Sequence, residues 1–333
     1  MRGLNLMRQF ITIFFAALLF SACSKEKNNG GIPVPDPYAN KLNEFSITPS
    51  MANATINTFD NSHLLFVDTR VSSKKKLFVF LPGTSGFPSV YSLVLKKAAA
   101  LGYHAIGLMY PNSSDLYIAS ATSADNSMFG RCRQEIFDGT DMTASVSIQP
   151  ENSIKGRLLS LLQYLNRTYP TLGWGQFLLA GQIDWSKCII AGHSQGGGHA
   201  IYISKKVLVS RAVSFASMDW NTNLNTSAAW IAEPGVTPAS QLYSFISPRD
   251  QVFDYVKVER QLTELGITGS PVSIDTETIP YSNSHRLITT ATPAIGILFP
   301  DHNITCLDNY VPKTSTGAAL GSFENAWGYL IGN

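Results

Sequence analysis

The chain has 333 residues, 25 lysines and arginines against 23 aspartates and glutamates, and a hydrophobic share of 44%. So even a balance gives no field for a polyanion, which excludes nucleic acid as the main partner; the first 22 residues hold two of the arginines and no acid, so without them the formal charge falls from +2 to zero. The hydrophobic share suits one large domain with a buried core, or a domain plus a lid, and no internal repeat interrupts it.

At the amino end, Arg2 and Arg8 precede the apolar run Phe10 to Phe20 and the small pair Ser21-Ala22. Residues 1–22 therefore read as a secretory leader, the apolar run being too short to span a bilayer. Phe20-Ser21-Ala22-Cys23 resembles the lipobox of bacterial lipoproteins. That resemblance implies cleavage before Cys23, lipid on that cysteine, and an exported protein anchored to a membrane of the bacterial cell envelope, with the outer membrane the expected one. Residues 23–40, carrying Gly30-Gly31, Pro33, Pro35 and Pro37, read as a flexible tether, which leaves 41–333 as the folded domain. Lys25-Glu26-Lys27 faintly resembles a surface-export signal of some Gram-negative lipoproteins, but a charged patch in a tether does not select a leaflet.

Within the domain, apolar runs and helix-compatible runs alternate. Leu77 to Leu81, ended by Pro82-Gly83, and Ala105 to Met109, ended by Pro111, have the continuous apolar character of strands buried on both faces. Tyr91 to Leu101 between them is predicted helical and stops at Gly102. The rhythm goes on with a helix over 156–169, strands at 187–191, 212–217 and 242–246, a helix ending near Val209, another over 255–265, a strand over 272–279 and a last helix over 323–331. Alternation of this kind predicts an α/β domain with a mostly parallel central sheet and helices on both faces.

Between the strand that ends at Ala191 and the helix that follows it lies Gly192-His193-Ser194-Gln195-Gly196. A tight strand-to-helix turn forces the serine into a strained conformation at the top of the sheet, and side chains larger than glycine at 192 and 196 would collide there. This frame and the turn Leu81-Pro82-Gly83-Thr84-Ser85-Gly86 resemble those of the α/β-hydrolase fold superfamily, over nearly everything after residue 41. Within it the chain looks most like secreted bacterial esterases and lipase-like hydrolases. The resemblance implies a serine hydrolase that cleaves carboxylic esters through an acyl-enzyme and needs no cofactor.

A serine hydroxyl is a weak nucleophile until a histidine takes its proton and an acid orients that histidine, in the chain order Ser, acid, His for this fold. Ser194 is the nucleophile. Asp250, after the strand 242–246, stands where the acid is expected, with Asp219 as competitor after the preceding strand. His285 is the first choice of base, since it follows the 272–279 run closely and Ser284-His285 resembles a loop of secreted polyester-degrading relatives. His302 is the alternative, reached if residues 284–288 form the return arm of a hairpin. The oxyanion hole falls to the N–H groups of Gln195 and Thr84, the latter from a Pro82-Gly83-Thr84 turn that departs from the His-Gly-Gly loop of related esterases. His63, His104, His193 and His199 read as packing or surface residues.

Three further readings complete the picture. Residues 111–153 separate a strand from its helix by more chain than such a connection needs, and read as a lid or as a cover for the sheet; Trp220 and Trp230 invite the same pair of readings. Cys188 reads as a buried thiol inside its strand, which leaves Cys132 and Cys306 free to pair in an oxidising compartment. The absence of Cys-x-x-Cys and His-Glu-x-x-His patterns predicts no catalytic metal. Besides the esterase, the same triad suits a serine peptidase, and the scaffold alone suits a noncatalytic binding lipoprotein.

Overall fold

The computed structural model describes Leu42–Gly332; the leader, Cys23 and the tether lie outside the described residues. Its centre is a nine-stranded sheet. In chain order the strands are β1 (Asn43–Ile47), β2 (His63–Val67), β3 (Leu77–Leu81), β4 (His104–Gly107), β5 (Cys188–His193), β6 (Arg211–Phe215), β7 (Leu242–Ile246), β8 (Val272–Ser273) and β9 (Arg286–Ile288). Across the sheet they lie in the order β1-β2-β4-β3-β5-β6-β7-β9-β8. β1 and β2 run antiparallel to their neighbours, and every pairing from β4 to β8 is parallel. A large, mostly parallel sheet between helices, with the serine turn following the central β5, is the arrangement of the α/β-hydrolase fold.

Strand residues alternate between two cores, because successive side chains of a strand point to opposite faces. Leu77, Val79 and Leu81 of β3, with Cys188 and Ile190 of β5, pack in one core; Phe78, Phe80, Ile189 and Ala191 pack in the other. The first core is roofed by α3 (Met128–Asp138), α4 (Ile154–Thr168), α5 (Gln195–Lys206) and α6 (Tyr255–Glu264), the second by α1 (Ser92–Ala100) and α8 (Gly321–Ile331). Short helices also stand in connections: one turn at Pro49–Ala52, α2 (Asp115–Ala121) and α7 (Pro300–Asn303). Local chemistry sets several ends: Ser153 accepts the Gly156 N–H at the start of α4, Asp254 accepts two N–H groups at the start of α6, and Gly139 stops α3 at a φ of 80°.

Within the segment 111–153, Phe129, Cys132, Ile136 and Phe137 of α3 are buried in the first core. Cys132 and Cys306 do not pair: both are free thiols, and they lie in different cores with the sheet between them. The expected strand over 272–279 is only the two residues of β8, and 286–288 is no hairpin arm but a parallel strand inserted between β7 and β8. Among the described residues no helix is long and apolar enough to cross a membrane.

Candidate active site

Parallel strands bring their carboxyl ends to one edge, and the loops there carry the site. Ser194 follows β5 at φ 52° and ψ −118°, a region that an L-residue occupies only when its surroundings enforce it. The enforcement is visible in the glycines. A Cβ on Gly192 would lie 2.3 Å from the Gly196 carbonyl group, and one on Gly196 would lie 2.0 Å from the Leu81 carbonyl oxygen. The elbow thus packs main chain against main chain, and the Ser194 N–H extends the β5–β6 ladder to the Phe215 carbonyl at 2.8 Å.

Thr84 stands in the turn after β3, where the N–H groups around it are all engaged. Gly83 donates to the Tyr91 hydroxyl, Ser85 to the Asn112 carbonyl and Gly86 to the Gly83 carbonyl. Among the described residues the Thr84 N–H makes no such bond, and the Gln195 N–H lies in the first turn of α5, which has no intrahelical partner to give. The Thr84 hydroxyl donates to Gln195 Oε1 at 2.8 Å, which ties the two loops together. Asn112, absent from any sequence expectation, fixes the turn by donating its Nδ2 to the Gly83 and Gly86 carbonyls at 2.7 and 2.9 Å.

Asp250 follows β7, and its side chain is fully buried. One carboxylate oxygen accepts the Val252 and Phe253 N–H groups, while the other meets His302 Nδ1 at 2.8 Å. His302 lies in α7, beyond the carboxyl end of β9, against the ring of Phe253 on one side and that of His193 on another, the latter with centroids 4.7 Å apart. Gln251 holds this turn by accepting the Asp301 and His302 N–H groups at Oε1. Asp250 and His302 therefore meet at the elbow that carries Ser194.

His285, the first choice from sequence, is not brought there. It precedes β9, so it lies at the amino ends of the strands, where its Nδ1 meets the carbonyl of Leu242, the first residue of β7, and its ring stacks on Tyr243 at 3.9 Å. Asp219 is also committed elsewhere. Buried Arg133 donates Nε to one of its oxygens and Nη2 to the other, and Trp230 Nε1 adds a third bond at 2.9 Å. The same guanidinium donates to the Gln195 carbonyl at 3.1 Å, which supports the first turn of α5 from below.

No protein-family model matches this chain, and no curated protein matches it. Among solved structures it is similar to a protein named "Putative Dienelactone Hydrolase" from Klebsiella pneumoniae subsp. pneumoniae, at 12% identity and a TM-score of 0.46, over 88% of this chain and 100% of that one.

Proposed function

We propose that the protein is a serine hydrolase acting on carboxylic esters. The observation that carries this reading is the 2.8 Å contact between His302 Nδ1 and the buried Asp250 carboxylate, with the His302 ring packed against His193, the residue that precedes a serine in a strained elbow. Asp250 fixes the tautomer in which His302 Nδ1 carries the proton, so Nε2 is free to accept the proton of the Ser194 hydroxyl. The Ser194 oxygen attacks the ester carbonyl, and the oxygen that becomes negative is met by the Thr84 and Gln195 N–H groups. One donor of this kind is worth about 3 kcal/mol in the transition state. Protonated His302 returns its proton to the leaving alkoxide as the ester C–O bond breaks, leaving an acyl group on Ser194. Water, deprotonated by His302, then releases the acid and restores the serine.

On this reading the leader and Cys23 make it a lipid-anchored envelope enzyme, which detergent-phase partitioning of the Cys23→Ala variant would test by loss from the detergent phase. The activity itself is tested by fluorophosphonate labelling and nitrophenyl ester turnover of wild type, Ser194→Ala, His302→Ala and His285→Ala. Turnover is expected to fall by a factor on the order of 10⁴ or more in the first two variants and to stay near wild type in the third. A folded wild type that neither labels nor turns over esters would leave the scaffold a binding protein; amide turnover comparable with ester turnover would make it a peptidase.

A further inference from the structure

The residue before the nucleophile, His193, has both ring nitrogens engaged in bonds whose directions can be worked out. Its Nε2 lies 3.1 Å from the main-chain carbonyl oxygen of His302, and its Nδ1 lies 3.1 Å from the Tyr91 hydroxyl, which in turn lies 3.1 Å from the Gly83 nitrogen. A carbonyl oxygen can only accept, so Nε2 carries the proton. In a neutral imidazole Nδ1 is then an acceptor and takes the Tyr91 proton, which leaves the Tyr91 oxygen to accept from the Gly83 N–H. One arrangement of protons satisfies every group.

We infer that His193 is a positioning residue for His302, holding the base by its main chain and linking it to the oxyanion turn through Tyr91. This role rests on the serine hydrolase reading. The hold adds to that of Gln251 and Phe299 on the His302 N–H: α7 is four residues long and is entered through Leu298 and Phe299, both at positive φ, and among the described residues no backbone N–H donates to the His302 carbonyl. The turn must also pass close to the ring, and Gly83 permits it, since a Cβ there would lie 3.0 Å from His193 Nδ1. Burial, and secondarily the neighbouring His302, keep His193 well below the usual imidazole range, so the neutral form and its tautomer persist at working pH. A donor at this position reaches across the elbow to the loop that the base rides on.

The test compares kcat and KM for a nitrophenyl ester in wild type, His193→Leu, His193→Gln and Tyr91→Phe, with Ser194→Ala as the inactive reference and melting temperature as the folding control. His193→Leu fills the space without a donor and is expected to lower kcat by about 10²-fold with KM nearly unchanged, because a base displaced by an ångström loses that much. His193→Gln, whose amide N–H reaches as Nε2–H does, is expected to recover most of the loss. Tyr91→Phe frees the ring to change tautomer and is expected to cost kcat several-fold; it carries the test if His193→Leu does not fold. A folded His193→Leu or Tyr91→Phe with wild-type kcat overturns the positioning role, as does a folded His193→Gln no better than His193→Leu. A wild type as inactive as Ser194→Ala removes the hydrolase reading and the positioning role with it, which separates that failure from the others.

Discussion

The elbow that holds Ser194 at positive φ closes so tightly that nothing larger than hydrogen fits at Gly192 and Gly196. In Gly196→Ala the new methyl carbon would meet the Leu81 carbonyl oxygen at 2.0 Å, and a β-strand main chain has no rotamer with which to yield. That variant is expected to lose soluble expression or to melt many degrees lower, as a thermal shift assay would read; a melting temperature within two degrees of wild type would deny that the elbow is built this tightly. Asp250→Asn leaves the shape intact while offering His302 Nδ1 a donor as readily as an acceptor. A kcat loss of about 10⁴-fold with little change in melting temperature is expected, and full activity would remove Asp250 from the triad. The nucleophile was legible because every requirement on it, two glycines and a strand before a helix, lies within a few residues. The base was not, since His285 and His302 differ in the edge of the sheet they reach, and that depends on the direction of a three-residue strand. One local signal did exist: His285 precedes the apolar pair Leu287-Ile288, and a residue that precedes a parallel strand lies at the edge away from the site.

Elements with long apolar runs appeared where the sequence placed them, β3 and β7 residue for residue. Those that the sequence did not reveal draw their order from partners. β8 and β9 are two and three residues long and exist because the edge of β7 is there to pair with. Helix α3 is half polar, and what seats it on the sheet includes an ion pair that composition cannot foretell. Arg133 and Asp219 are each nearly without solvent contact, and the guanidinium lies where a side chain on Gly198 would be, its Nη2 only 2.0 Å from a Cβ built there. Arg133→Met therefore strands a carboxylate under the first turn of α5. A destabilisation of about 3–5 kcal/mol is expected by urea titration, with the Arg133→Met, Asp219→Leu double variant recovering most of it. If the single and double variants are equally unstable, the guanidinium matters for its volume and not for its charge.

Across the whole molecule, histidines buried on both faces of the sheet make stability depend on pH. Burial, aided by the Arg157 guanidinium, lowers His63 to about 3, and burial first, then nearby His302 for His193 and Arg133 for His199, holds those two well below the usual range. Each stays neutral when folded and titrates near 6.5 when unfolded, so below that pH the unfolded chain binds more protons and is favoured. Stability is complete above about pH 6.5 and falls as the pH drops toward the folded values. The slope is about 1.4 kcal/mol per pH unit for each histidine, so His63 alone removes about 2 kcal/mol by pH 5. Urea titrations at pH 7.5 and pH 5 measure this, and His63→Gln, which keeps an acceptor for the Met109 N–H that His63 Nδ1 takes at 2.9 Å, should reduce the difference. Equal stability at the two pH values would contradict it. The βα alternation made the class of fold legible without any of this, because it is a repeated pattern, whereas the depressed histidines follow from depth and depth from the completed packing.

The separation of Cys132 from Cys306 also equips the molecule with two clocks. Each thiol is fully buried, and burial pushes both away from the reactive thiolate, so alkylation has to wait for the structure around it to open. Because one lies on the buried face of α3 and the other in the opposite core, pulse alkylation read by peptide mass would time the breathing of each layer on its own. Cys132 modified well before Cys306 would mean that the roof formed by residues 111–153 loosens while the other side stays shut; modification in step would mean that the sheet and both its coverings part as one cooperative unit.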